Sequence, residues 1–424
     1  MTYQDFLTRI YGLGRFGMKP GLERIAALLK TLSRPQDGLR VIHVAGTNGK
    51  GSTAAFLSSI LASAGHVTGL YTSPHLVSFT ERIRINGVEI PEDEVTSLAE
   101  RILSVAAEGT TFFEIVTAMA FLWFAEQGVG PAVMEVGMGG RLDATNAASG
   151  ILSVITPIAL DHCEHLGASL DRIAREKAGV IKASRPVVSS CQQGEAMEAI
   201  RERCSVLGSP LFEWDGDFLA FWAGDGLSYR GLGWNLDGLK PGIPGRYQAA
   251  NVASALCAAE LLDRSGVSVT ADEARRGIEH ASWPGRMEMF PGPPRILLDG
   301  AHNPAGAAAL AESLRDIRRD ALFLVIGVVE DKDVQGILSP LLPHADRVVA
   351  VTPSIPRGLP SGELAALCGK LGIQAEDGGS LADGLEMACA EARPGDLILV
   401  CGSLFIVGEA RARLIQGTYQ PFRG

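Results

Sequence analysis

The sequence predicts an α/β protein made of two mainly parallel sheets, and three observations carry that prediction. Arg40–Ala45 is a β-branched, apolar run that ends in a glycine-rich turn and passes into an alanine-rich apolar stretch at 54–64. Strand-like and helix-like runs alternate from there to residue 207 and again from 295 to 400, and such alternation implies a parallel sheet covered by helices on both faces. Between the two series, Trp283-Pro284-Gly285-Arg286 and Pro291-Gly292-Pro293-Pro294 interrupt every periodic pattern. The units are therefore expected at 1–286 and 295–424, with 287–294 as a linker.

Taken in order, residues 21–32 place Leu22, Ile25, Leu28, Leu29 and Leu32 on one face of an amphipathic helix. The strand at 40–45 and its helix come next. A second strand at 67–72 stops at Ser73-Pro74-His75-Leu76, because proline restricts the residue before it. Residues 81–87 alternate as a strand and turn. Helices are expected at 91–108 and 111–127, the second apolar around most of its circumference and so buried. Residues 131–137 form a buried-type strand carrying one carboxylate, Glu135, followed by the glycine-rich loop 137–146. Strands at 151–158 and 186–190 and helices at 169–179 and 194–207 continue the alternation, with Ser169 as an N-cap. Residues 210–233, aromatic and punctuated by glycine, read as a small β-meander. Helices at 245–265 and 270–281 close the first unit. The second is Rossmann-like, with strands at 295–298, 322–329, 347–351 and 396–400 and helices from 304, near 334, at 362–371 and at 381–392. It has no GxGxxG turn, so dinucleotide binding there has no support.

Composition removes several classes of function. With 424 residues, 46% hydrophobic and 20% charged, the chain is an ordinary globular protein. A net charge of -10 argues against nucleic-acid or anionic-membrane partners, so an anionic substrate needs local positive charge. Seven cysteines without a CxxC pair suggest core thiols in a reducing compartment rather than zinc or disulfides. There is no basic, then apolar, N-terminal leader, and the apolar run at 115–125 is shorter than the ~18 residues of a membrane span. A cytoplasmic monomer is expected.

The turn Gly46-Thr47-Asn48-Gly49-Lys50-Gly51-Ser52-Thr53 joins a strand to a helix N-terminus, which is where anions bind. N–H groups of the first helical turn, glycines that let the chain approach, and the Lys50 charge suit a phosphate, and Ser52 or Thr53 can reach Mg²⁺. Glu135 needs a compensating cation, because a buried unpaired carboxylate destabilises the fold. Lys177 reads, from its neighbours Asp171, Arg172, Arg175 and Glu176, as a surface lysine in a run of alternating charge.

The turn resembles the phosphate loop of the Mur-ligase superfamily in the folylpolyglutamate synthase/dihydrofolate synthase branch. TSPHL at 72–76, Glu81-Arg82-Ile83, EVGMGGRLDATN at 135–146, Asp161-His162, IAREKAG at 173–179, GRYQAAN at 245–251, WPGR at 283–286, DGAHNP at 299–304 and Asp331-Lys332-Asp333 follow in the same order. Departures are small: Met138 stands where the family usually has leucine, and the swap conserves volume. The resemblance implies an N-terminal P-loop ATPase domain, a C-terminal glutamate ligase domain, and an ATP-dependent ligase. Its substrates would be dihydropteroate, folates and L-glutamate, and its cofactors two Mg²⁺ ions and K⁺. It assigns ATP to residues 46–53, Asn251, Arg286 and Asp299, and catalysis to Lys50, Lys177, Arg286 and His302. It gives the metals to Ser52, Glu135, His162 and Lys177, the last as a carbamate, and the pterin to Ser73, His75, Arg82 and Asp143. A peptidoglycan-precursor Mur enzyme is the runner-up, and a switch-type NTPase would need an NKxD motif that is absent. A nucleotide-binding module without catalysis would be expected to lack Lys50, Glu135, Lys177 or Arg286, and all four are present.

Overall fold

The computed structural model describes residues 1–13, 21–161 and 163–421. Eight strands form the larger sheet: β1 (Arg40–Ala45), β2 (Gly69–Tyr71), β3 (Ile83–Ile85), β4 (Val88–Glu89), β5 (Pro131–Glu135), β6 (Leu152–Ile155), β7 (Val187–Ser189) and β8 (Leu211–Glu213). Their order is β4-β3-β2-β5-β1-β6-β7-β8. β2, β5, β1, β6, β7 and β8 run parallel, and β3 and β4 add antiparallel to one edge. β1 sits in the middle, and every residue from Val41 to Ala45 is buried. A strand covered on both faces has no need of alternation, which is why this one is uniformly apolar apart from His43.

Helix Lys50–Ser63 lies on one face, sandwiched between the sheet and helices Gln248–Arg264 and Ala271–His280. It therefore carries no single apolar stripe. Helices Glu23–Thr31, Glu92–Val105 and Phe112–Glu126 cover the other face together with Tyr3–Leu13, for which the sequence offered no expectation. Thr111 caps Phe112–Glu126 in a reciprocal box with Glu114.

Two expectations shift. The meander does not begin at residue 210. Leu211–Glu213 pairs with β7 as the last strand of the large sheet, and the meander is β9 (Leu219–Ala223), β10 (Gly226–Arg230) and β11 (Asn235–Leu239). Glu260 fastens it, accepting from the Tyr229 hydroxyl at 2.8 Å and from the N–H groups of Leu232 and Trp234. Residues 287–294, expected to be a linker, contain β12 (Glu288–Phe290), which pairs antiparallel with β13 (Arg295–Leu298). The smaller sheet adds β14 (Leu322–Ile326), β15 (Arg347–Thr352), β16 (Glu376–Ser380) and β17 (Leu397–Cys401), in the order β12-β13-β17-β14-β15-β16. Helices cover both of its faces, including Leu404–Leu414, which the sequence reading did not anticipate. Among the described residues no helix is long and apolar enough to cross a membrane. Four cysteines are buried, but Cys163, Cys191 and Cys389 are exposed, so they are not all core thiols.

Candidate active site

Register places the site. Val44 of β1 pairs with Glu135 of β5, and Tyr71 of β2 pairs with Met134, so the phosphate loop, Glu135 and Ser73 emerge side by side at the carboxyl ends of neighbouring strands. The Ser73 N–H donates to a Glu135 carboxylate oxygen at 3.1 Å. Burial raises the Glu135 pKa, opposed by the positive charge of Lys50, the Ser73 N–H, Arg286 and Arg82.

The loop is braced from below. The N–H groups of Thr47 and Asn48 donate to the Pro157 carbonyl, and the Thr47 hydroxyl donates to that of Ala159. Gly46, at φ 147°, must be glycine, because a Cβ there would lie 1.9 Å from the Thr156 hydroxyl. Gly49, at φ 83°, precedes helix Lys50–Ser63 and offers no side-chain cap, leaving the first-turn N–H groups available to an anion. Lys50 Nζ rests on the Thr47 carbonyl at 3.1 Å.

Lys177 overturns its surface reading. It ends helix Leu170–Lys177, is 5% exposed, and donates from Nζ to the Gly46 carbonyl at 2.6 Å. Burial, then the charge of Lys50, bring its pKa down to about 7. The solvated pairing on that helix belongs to Arg175 with Asp171.

Arg286, at the junction of the two units, and residues of the smaller one form the opposite wall. Arg286 lies against Gly300, and His302 donates from Nδ1 to the Gly300 carbonyl at 2.8 Å. Burial lowers the His302 pKa to about 4, so its ring is neutral and Nε2 carries a lone pair. Asp161 of the first wall accepts from Lys332 of the second at 2.6 Å, and Asn48 and Asn303 exchange amide hydrogen bonds. The cleft between the walls holds about 1130 Å³, including space open to solvent.

Of the residues singled out in the sequence, 46–52, Ser73, His75, Glu135, Lys177, Arg286 and His302 line this cleft. Thr53, Asn251, Arg82, Asp143 and Asp299 stand behind it. Asn251 accepts from the Thr53 hydroxyl and donates to Gln248. Asp143 takes hydrogen bonds from the N–H groups of Gly137, Met138 and Thr145 and from the Thr145 hydroxyl, and shapes the 137–146 loop. Asp299 binds the Tyr247 hydroxyl and the N–H groups of Met287 and Ala301. Arg82 is fully buried and donates to His75 Nδ1 at 2.9 Å. His162 lies outside the described residues. Arg84, whose guanidinium sits over the Trp283 ring, and the Asp161–Lys332 pair had not been singled out as site residues. The signals were the strings carrying Trp283 and Lys332.

The described residues contain no cluster of three His, Cys, Asp or Glu able to hold a metal. The Ser52 hydroxyl and Glu135 carboxylate nonetheless suit Mg²⁺, a hard ion that binds through one or two carboxylates together with substrate phosphates.

Comparison with known proteins converges on one family. Residues 44–191 match the Mur ligase middle domain, and 285–404 match the Mur ligase, glutamate ligase domain. The dihydrofolate synthase/folylpolyglutamate synthase of Bacillus subtilis is 34% identical over 431 residues, covering 97% of this chain and 99% of that protein. A probable bifunctional folylpolyglutamate synthase/dihydropteroate synthase of Haloferax volcanii is 37% identical over 97% of the chain, which spans only 50% of that protein. The solved structure of E. coli FolC in complex with DHPP and ADP superposes with a TM-score of 0.90 at 32% identity, covering 98% of both chains. With both family domains, a full-length relative and the fold in agreement, the chain belongs to the folylpolyglutamate synthase/dihydrofolate synthase family of Mur ligases.

Proposed function

We propose that this chain is an ATP-dependent ligase that joins L-glutamate to dihydropteroate and to reduced folates through an acyl phosphate. The observation that carries the reading is the meeting of Lys50, Ser52, Glu135 and Lys177 from the larger unit with Arg286 at the junction and His302 from the smaller unit in a single cleft. Lys50 and the uncapped helix N-terminus hold the β- and γ-phosphates, and Arg286 adds positive charge from the facing wall. The acceptor carboxylate attacks the γ-phosphorus, forming acyl phosphate and releasing ADP. The glutamate amine then attacks the acyl carbon and expels phosphate, and the lone pair of neutral His302 would take the proton the amine loses.

A Mg²⁺ ion at Ser52 and Glu135 would neutralise phosphate charge when bound. Lys177, with its depressed pKa, supplies the neutral amine that carbamate formation with CO₂ requires, and as a carbamate it would add a second oxygen donor set with His162 for a second ion. We read 1–286 and 295–424 as two bodies that draw together on ATP, which excludes water from the acyl phosphate. The test is glutamate-dependent ADP release, measured with dihydropteroate and separately with tetrahydrofolate. Release with neither acceptor rejects the reading, and release with one alone makes the enzyme monofunctional.

A further inference from the structure

The loop that carries Ser73 and His75 belongs in sequence to the larger sheet, but it is anchored in the smaller unit. Leu76 and Val77 are buried, 9% and 5% exposed, in the same apolar cluster as Leu298, Val400, Ile406 and Val407. The packing is close: a Cβ on Gly408 would lie 2.1 Å from the Leu76 carbonyl. Glu81 closes the loop from within, accepting from the N–H groups of Leu76, Val77 and Ser78 at 2.8, 2.9 and 3.0 Å.

The far side is held by one residue at the end of the chain. The Gln420 N–H donates to the Val77 carbonyl at 2.9 Å, and its carbonyl accepts from His75 Nε2 at 2.7 Å. Its side-chain oxygen accepts from the Phe79 N–H at 2.9 Å, the Tyr3 hydroxyl at 3.3 Å and the Ser78 hydroxyl at 3.4 Å. Tyr419 beside it reaches back to the Phe405 carbonyl at 3.1 Å, tying the tail to helix Leu404–Leu414. Because the Gln420 carbonyl can only accept, His75 carries its proton on Nε2 and takes the Arg82 N–H on Nδ1. One end of the loop thus touches Glu135 through the Ser73 N–H, and the other is fixed to the smaller unit and the N-terminal helix.

We infer that Gln420 is a positioning residue for the ligase reaction: it clasps the Ser73–Phe79 segment to the smaller unit, so that the placement of that unit sets the acceptor side of the cleft. The inference rests on the ligase reading only for its kinetic consequence. Among the described residues, the bonds to the Gln420 side chain are ones in which its oxygen accepts, so the chemistry that matters is an acceptor at that point. Glutamate keeps the acceptor, and methionine keeps the length without it.

The experiment compares Q420M and Q420E with the unmodified chain by amide hydrogen exchange and by steady-state kinetics. In Q420M, exchange at Leu76–Phe79 rises about tenfold or more while the phosphate loop is unchanged, KM for the pterin acceptor rises about five- to twentyfold, and KM for ATP stays within twofold. Q420E restores both readouts to within about twofold. Unchanged exchange at 76–79 in Q420M overturns the clasp. Equal rises in both KM values, or a Q420E as impaired as Q420M, overturn the positioning role and leave a general packing effect. Should the unmodified chain show no glutamate-dependent ADP release, the ligase reading fails, and the exchange measurement still decides whether the clasp exists.

Discussion

Two strand-to-helix turns meet across the cleft, and they finish differently. The turn after β1 leads through Gly49 into helix Lys50–Ser63, with no side-chain cap. The turn after β13 leads through Asn303 into helix Pro304–Leu314, where the Asn303 side chain accepts from the Gly306 N–H at 2.8 Å and proline occupies the first helical position. Both are ends of parallel strands, where α/β folds place ligands. The first keeps an uncapped N-terminus and adds a lysine; the second has one N–H capped by Asn303 and no donor at Pro304, and presents a neutral histidine. Fold supplies two comparable positions, and the uncapped one is the better suited to an anion.

The largest effect should come from the uncapped side. Lys50→Ala is expected to lower the ligation rate by on the order of 10²-fold or more, since phosphate charge in the transition state loses its fixed counter-charge. Near-normal turnover in a folded variant would remove the distinction between the two turns. Lys177→Ala comes next, with a loss of roughly tenfold to 10²-fold that appears as a higher Mg²⁺ requirement rather than a lower melting temperature. Formate at high Mg²⁺ should restore part of the activity, and its failure to do so would speak against a carbamate.

The histidines at the join of the two units give a smaller, pH-dependent effect. Burial lowers the His75 pKa to about 3, aided by the Arg82 charge, and that of His302 to about 4. An unfolded histidine titrates near ~6.5. Below that value the unfolded chain binds protons that the folded chain does not, so this contribution to stability is intact above pH ~6.5 and lost as pH falls toward 4 and 3. The melting temperature should therefore fall steadily from pH 6.5 to 4. A flat profile over that interval would mean that neither ring is held neutral.

What was legible in the sequence follows the range of the interactions involved. The phosphate loop depends on neighbours within a dozen residues, and glycine spacing, Lys50 and the flanking periodicities reveal it. Lys177 was not legible from its surroundings, because alternating charges describe the solvated face of its helix and are silent about the one residue that turns inward onto Gly46. Asp143 lies in the expected loop, yet its carboxylate is consumed by that loop's own backbone, a local competition that the motif does not display. β16, Glu376-Asp377-Gly378-Gly379-Ser380, is polar and glycine-rich, as an edge strand can be, and so carried no strand signal. Gln420 has no sequence signal at all, since its partners lie more than 340 residues away.

The smallest predicted effect isolates the cap from the contact between the two turns. Asn303 does two things: its oxygen caps Pro304–Leu314, and its amide group joins the facing wall, exchanging hydrogen bonds with Asn48 in the phosphate loop and donating to Asp161 at 3.4 Å. Asn303→Ala removes both and should cost about 1 kcal/mol of stability, the usual value of an N-cap. Asn303→Ser keeps a capping hydroxyl but is too short to reach Asn48, so its stability should stay within a few tenths of a kcal/mol of the parent. If the amide exchange also holds the phosphate loop in register, both variants should raise KM for ATP by about two- to fivefold, against only one loss of stability. Calorimetry and ATP titration on the same two proteins separate the roles. Equal destabilisation by alanine and serine would show that the second turn is not stabilised by its cap, and the contrast with the bare Gly49 terminus would then need another cause.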